Sequence, residues 1–489
     1  MQLNFQRHLS FILDEAPQNL RKRILLRGLQ QEPTEHEKVV IPPEFNAKDW
    51  LSFLLYIDAE LEHSLMIQYL YSAYSLGGSQ VPEEDRELVK KWQEVILGIA
   101  KEEMGHFISV QNVLRLIGAP LNMGRQDYPW DSPFFPFEFA LEPFSKESLA
   151  KYVFAESPVG WLDSPAENEE MKEIKDEIRA IIKMNDHGEP IALLFDKILR
   201  LLRDEDQIPD SIFQPKTYAF QAKFDEWGRG YRGGAKGNDE NGAPRGTPDV
   251  LVMPLASRDD AIEAVEAIAE QGEDTSPIDD ELSHFERFLG IYVELFRKKK
   301  ENPDFEPARN VATNPIIYQE NPSDDPVNAE RDLETDLIKN PVGKAWANLF
   351  NIRYRMLLNF LSHSFLLDDG LNNTGAFTPR GAIVNATFGE MYNLRSISNV
   401  LVKIPLDPAV PNGKMAGPPF LIPYTLTLPF GEKNRWRIHQ DTIEASLKTI
   451  EHLLKISDPS NHKYLNSLKE ADRKLYELAD KITLVPTNY

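Results

Sequence analysis

The chain has no cysteine among its 489 residues. Disulfides, thiolate catalysis, iron–sulfur clusters and cysteine-held zinc are therefore excluded. Any metal must sit on His, Asp and Glu, a ligand set that suits iron, manganese or zinc. Long apolar runs are also missing. No stretch approaches the ~18 uninterrupted apolar residues of a spanning helix, and MQLNFQRHLSFILDEAPQNLRKRI holds no apolar core of the signal-peptide kind. A cytoplasmic protein without membrane contact is expected. Positive charge is scarce: 54 Lys and Arg stand against 77 Asp and Glu, a formal charge of −23. Such a field repels nucleic acid and anionic lipid. There is no tandem repeat, no phosphate-binding glycine loop and no G-x-S-x-G elbow.

What remains is a helical pattern with ample material for a core, 42% hydrophobic and 10% aromatic. Residues 1–45 read as a helical arm ending at Pro42-Pro43. A long apolar helix is expected over 49–76, closed by Gly77-Gly78, and a second over 81–118, closed by Gly118 and Pro120. Two long helices with a short connection make an antiparallel hairpin. Residues 121–165 (YPWDSPFFPFEF, ESPVGW) are too aromatic for a linker and read as an ordered crossover. Helices follow near 167–184, 189–203, 258–271 and 278–298, with a glycine-rich loop at 225–249 whose GRGYRGGAKG reads as a mobile loop rather than an RNA-binding segment. An acidic connection over 301–340 separates the region 46–300 from a C-terminal part, 341–489. That part holds helices near 341–368, 381–403, 440–456 and 461–482, and a strand within PPFLIPYTLTLPF.

The second helix carries the first chemical signal. In KEEMGHFISVQNVLRLIGAP, Glu103 shares a face with Ile96, Ile99, Ala100, His106, Phe107 and Val110 at 3.6 residues per turn. A carboxylate and an imidazole thus point inward together, one turn apart. An uncompensated buried carboxylate costs several kcal/mol, so the pair needs a partner, and a metal ion is the natural one inside a bundle. The spacing recurs at Glu281 and His284 in ELSHFERF, among Phe285, Phe288 and Ile291, and at Glu60 and His63 on the first helix. Chance alone places an acid three residues before a His about one to two times in a chain of this composition. The apolar setting of the first two pairs, not their number, carries the weight. On the first helix Glu62, flanked by Leu55, Ala59, Leu65 and Tyr69, is the better inward residue, which leaves Glu60 and His63 to packing or to supporting the ligands from behind. A two-metal site needs a further carboxylate; Glu189, Glu270 and Glu273 are its candidates, with Glu189 first although Pro190 puts it at the very start of its helix. Glu156 reads as bracing a turn, and His363 as a satisfied core histidine.

These segments resemble the ferritin-like family. ELEHSLMIQYLYSAYSL followed by AKEEMGHFISVQNVLRLIGAP carries the likeness. FAESPVGW, GEPIALLFDKI, AIEAVEAIAEQGED, ELSHFERF and AGPPFLIPYTLTLP follow in an order similar to the branch typified by the iminophenylpyruvate dimer synthase of violacein biosynthesis and its chromopyrrolate-synthase relatives. The likeness spans roughly residues 45–430. It implies a mainly α fold, a four-helix ferritin-like bundle with long insertions and a helical C-terminal region with minor β structure. It also implies a metal site on Glu62, Glu103, His106, Glu189, Glu281 and His284. The expected function is a non-haem oxidoreductase of secondary metabolism, di-iron first, with manganese or zinc as the other metals. Dioxygen or peroxide would be used on an aromatic or amino-acid-derived metabolite held near 121–165. The substrate is a small molecule, and a homo-oligomer is compatible with the reading. The rival is a non-catalytic scaffold whose Glu103 and His106 merely bond each other. Iron storage is disfavoured, because the long insertions would obstruct packing into a shell.

Overall fold

A computed structural model of the protein describes residues 38–129, 137–158, 160–182, 190–227, 252–273, 282–318, 335–368, 378–422 and 426–483. It is mainly α-helical. Two helices form the frame: α1, Ala47–Ser75, and α2, Arg86–Leu116. The Asn46 side chain caps α1 by accepting from the Asp49 amide at 2.9 Å. The chain leaves α1 through Gly77 and Gly78, both at positive φ, where a Cβ would be strained. Gly118, φ +68, does the same after α2. The two helices pack along each other as the short connection requires.

Against this hairpin lie α3, Lys146–Ala155, and α7, His284–Glu301, which pack on one another. Between them in sequence come α4, Glu169–Ile182, α5, Pro190–Arg203, and α6, Arg258–Glu273. The α5–α6 pair braces the hairpin, α5 against α1 and α6 against α2. Helix α3 lies within the stretch read from sequence as a crossover. A reciprocal cap between Ser145 and Ser148 starts it, and Leu149, Tyr152 and Val153 bury one face. Helix α7 begins later than expected, at His284, because Ser283 caps it: the Glu286 amide donates to Ser283 Oγ, and Glu286 accepts from the Ser283 amide.

The C-terminal region is built from α8, Pro341–Ser364, α9, Pro379–Leu401, α10, Glu432–Ile456, and α11, His462–Thr483. Beside the main core, a smaller apolar cluster of Met356, Phe360, Ile383, Trp436, Ile443 and Ala479 fills its interior. A buried charge network crosses all four helices. Arg353 donates to Glu390 at 2.5 and 2.8 Å and to Asp472 at 2.5 Å, while Ser446 donates to Asp472 at 2.7 Å. The region is tied to the bundle by Tyr354, whose hydroxyl meets His63 Nε2 at 2.6 Å, and by the buried Arg380–Glu226 pair.

β structure is confined, among the described residues, to β1, Pro315–Ile316, paired in parallel with β2, Asp336–Leu337, and a few isolated bridges. The strand expected within PPFLIPYTLTLPF is absent from its described residues, 418–422 and 426–430. Pro418 and Pro419 lack amide donors, and Phe420 sits at φ +49, which breaks an extended run. Most of the expected N-terminal arm, the glycine-rich loop and part of the acidic connection lie outside the described residues. No described helix is long and apolar enough to cross a membrane.

Removing Arg353 leaves Glu390 and Asp472 buried without their cation. Arg353→Met is expected to cost about 3–5 kcal/mol, read as a lowered midpoint in urea unfolding. A loss under about 1 kcal/mol would show that the network contributes little to stability.

Candidate metal centre

Four elements of the bundle each deliver a polar side chain to one level of the core. Helix α1 brings Glu62, α2 brings Glu103 and His106, Glu156 follows directly on α3 as its C-terminal cap, and α7 opens with His284. All five are buried. His106 Nδ1 lies 3.2 Å from Glu103 Oε2 and 3.3 Å from Glu62 Oε2. His284 Nδ1 lies 2.7 Å from Glu103 Oε1 and 3.6 Å from Glu156 Oε2. The two oxygens of Glu103 thus divide between two imidazoles whose rings stack at 5.5 Å. Two donor groups result, Glu62–Glu103–His106 and Glu103–Glu156–His284, and in each the ligand atoms lie within 4.8 Å of one another. Glu103 belongs to both.

The outer side of each imidazole is also held. His284 Nε2 meets Glu102 Oε2 at 2.7 Å, and Arg287, one turn on along α7, donates to both oxygens of Glu102. His106 Nε2 meets Gln271 Oε1 of α6 at 2.8 Å. The Tyr69 hydroxyl donates to Glu156 Oε1.

Electrostatics at this level are dominated by burial and then by the partners. Burial would raise the Glu103 carboxyl, but His284 and His106 outweigh it and hold it well below its usual range. Burial would lower His106, yet Glu62 and Glu103 carry it up to about 10. His284 is likewise raised despite burial, by Glu103 and Glu102. Glu62 and Glu156 go the other way, raised by burial and by the charge of Glu103. Asp58, one turn before Glu62, is pushed by burial to about 7, with His106 pulling it down and Glu103 pushing it up.

Whether these residues fit a cation is decided by atoms that are close but not bonded. Glu62 Oε2, Glu103 Oε1 and His284 Nδ1 are fully buried and have no hydrogen-bond partner of acceptable geometry among the described residues. Yet Glu103 Oε1 and His284 Nδ1 are only 2.7 Å apart. Lone pairs gathered in one place without pointing at each other suit an ion placed among them, and carboxylate with imidazole suits iron, manganese or zinc. The donor set fits.

Of the residues singled out from sequence, Glu62, Glu103, His106 and His284 are brought together. Glu189 and Glu281 lie outside the described residues. Glu270 is on the exposed side of α6, and Glu273 ends that helix. Glu156, expected from sequence to brace a turn, lies with Glu62, Glu103, His106 and His284 as a further carboxylate. Its signal was available: once Ser145 and Ser148 mark a helix start, Glu156 follows Tyr152 and Val153 on the buried face. Glu102 and Asp58, buried beside the centre, carry no such sequence signal. Glu60 accepts from Gln126 at 3.3 Å and is raised by burial to about 7. His63, lowered to about 3 by burial and then by Arg125, stays neutral and bonds Tyr354. His363 is buried and bonded on both nitrogens, to His439 and Glu432.

Residues 56–293, just under half of the chain, match the ferritin-like family model. The chain is 24% identical over 400 residues to the dichlorochromopyrrolate synthase of Lentzea aerocolonigenes, covering 74% of this chain and 34% of that protein. It is 25% identical over 409 residues to the 2-imino-3-(indol-3-yl)propanoate dimerase of Chromobacterium violaceum, covering 77% and 34%. The chain thus spans about a third of the length of these curated relatives. Among solved structures it is similar to a ferritin-like protein from Caulobacter vibrioides, at 14% identity and a TM-score of 0.40, over 73% of this chain and 98% of that one. The bundle thus matches the ferritin-like family over residues 56–293, and the relatives it is similar to are of the branch that the sequence resembles.

A pH dependence follows from the charges. The raised His106 gives the ion-free fold a stability contribution that is fully present below 6.5 and lost as pH rises through about 10. The raised Asp58 acts in the same sense at lower pH, its contribution being lost between 3.8 and about 7. The melting temperature of chelator-treated protein should therefore fall between pH 7 and 10, and saturating Mn²⁺ should remove the fall by replacing the protons. Thermal scans with and without chelator check this; a flat chelated profile contradicts it.

Proposed function

We propose that the ferritin-like domain of this chain is a non-haem dinuclear metal enzyme, an oxidoreductase of secondary metabolism acting on an aromatic, amino-acid-derived small molecule. The observation that supports it is the sharing of Glu103 between two buried Glu–His groups, in which Glu62 Oε2, Glu103 Oε1 and His284 Nδ1 have no hydrogen-bond partner among the described residues. The relatives are named as a synthase and a dimerase, the latter of an indole-bearing imino acid. Glu62, Glu103 and His106 would hold one ion and Glu103, Glu156 and His284 the other, with iron first and manganese or zinc as the other metals. Bound there, iron would supply one-electron redox chemistry and reactivity toward dioxygen.

The protein's own part is positional. Glu103, held well below its usual range by two imidazoles, would serve as a ligand in both halves. Glu62 and Glu156, both raised by burial and by the charge of Glu103, would bind a cation as carboxylates. Tyr69 orients Glu156 through its hydroxyl. Tyr69, Tyr152 and Phe288 pack with centroids 4.9–5.6 Å apart and exclude water from that side. Phe107 closes the His63 side at 4.9 Å. An aromatic substrate suits such walls.

One contact favours the scaffold reading: His106 and Glu103 do bond each other, at 3.2 Å. Metal content separates the two. Protein purified without added metal should carry up to two transition-metal ions per chain, and Glu103→Ala, which removes the shared ligand, should carry none. The wild type should consume 2-imino-3-(indol-3-yl)propanoate in air, and Glu103→Ala should not. Negligible metal in both proteins, with unchanged folding stability, would sink the enzyme reading and leave the scaffold.

A further inference from the structure

The two halves of the centre are built alike on their inner side and differently on their outer side. Each imidazole turns Nδ1 toward Glu103 and holds Nε2 outward. Behind His284 stands a carboxylate, Glu102, fully buried and clamped by both terminal nitrogens of the Arg287 guanidinium. Behind His106 stands a neutral amide, Gln271, only half-buried on α6. In both cases an oxygen accepts from Nε2–H, so a cation that displaces the proton on Nδ1 would meet the Nδ1 lone pair facing the centre.

The strength of the two acceptors differs. A carboxylate accepts a hydrogen bond about twice as strongly as a neutral oxygen. An imidazole that donates to a carboxylate gains electron density on its other nitrogen and becomes a better metal ligand, and loss of such an outer partner typically costs 10–100-fold in metal affinity. Arg287 does not cancel this effect. It faces the same carboxylate from the α7 side, keeps Glu102 oriented, and leaves the Oε2–His284 bond at 2.7 Å. The inner ligands of the halves are otherwise matched in kind: one unshared glutamate, the shared Glu103 and one histidine each.

We infer that Glu102 and Gln271 are positioning residues that make the two metal positions unequal, so that a divalent cation enters the Glu103–Glu156–His284 position first and the Glu62–Glu103–His106 position second. The inference rests on the dinuclear reading above. It adds an order of loading and assigns that order to two residues that touch no ion themselves. An ordered centre has a chemical consequence: a chain carrying one ion holds it on the Tyr69–Glu156 side, against the aromatic wall.

The test is a metal titration of the full chain, stripped with chelator and kept anaerobic, with free Mn²⁺ followed by its EPR signal. Two binding steps at least about tenfold apart are expected. Glu156→Ala should abolish the tighter step and Glu62→Ala the weaker one. Glu102→Gln should weaken the tighter step by about 10–100-fold and merge the two. Gln271→Glu should strengthen the weaker step and close the gap from the other side. That second variant changes a half-buried residue, so it keeps the test decisive if Glu102→Gln fails to fold. A purely structural role for Glu102 would weaken both steps together, and that result overturns the inference. Two equal steps in the wild type, or loss of the tighter step in Glu62→Ala, overturn it as well. Absence of any Mn²⁺ binding in the wild type overturns the dinuclear reading itself, and the loading order with it.

Discussion

Burial of Glu103 is the constraint on which the rest of the bundle depends. A lone carboxylate at that depth would cost several kcal/mol or simply take up a proton. Here it stays ionised because an imidazole reaches each of its oxygens, one from its own helix and one from the first residue of α7. That requirement fixes much else. α7 must begin at His284, so Ser283 must cap it. The stretch between the hairpin and α4 must form a helix ending at Glu156. α1 must turn Glu62 inward among aliphatic side chains.

The price of gathering so many polar groups is partial frustration in the ion-free state. Glu62, Glu102, Glu103 and Glu156 lie at one level with His106, His284 and Arg287, and three buried ligand atoms have no aligned partner among the described residues. Plain structural networks in the same protein look different. Arg353 with Glu390 and Asp472 satisfies its charges by direct, well-aligned bonds, and Arg380 does so with Glu226. The contrast between a closed network in the C-terminal region and an open one in the bundle is the physical argument for a cation at the second and not at the first.

Much of this was legible in the sequence, for reasons that can be named. The hairpin, its glycine exits and the inward face of Glu103 and His106 follow from helical periodicity, which is local information. Glu62 could be preferred to Glu60 by its apolar neighbours alone, and Glu60 indeed bonds Gln126 while Glu62 meets His106. Glu156 was not legible in the same way. Its helix is ten residues long and lies in a stretch rich in proline and aromatics, so composition masked the short helical pattern. Glu102 was hidden by adjacency to Glu103, since the register of α2 gives no hint that His284 and Arg287 arrive on that side. The strand expected near 418–430 does not form in its described residues because Pro418 and Pro419 lack amide donors and Phe420 sits at positive φ.

The most direct measurement of the central claim is a crystal structure of Mn²⁺-soaked protein with anomalous differences recorded at the manganese edge. The account predicts two peaks, one within ligand distance of Glu62, Glu103 and His106 and one within that distance of Glu103, Glu156 and His284, with Glu103 touching both. A map without peaks at this level of the bundle, with Glu103 and His106 still bonded only to each other and their protein neighbours, would contradict it.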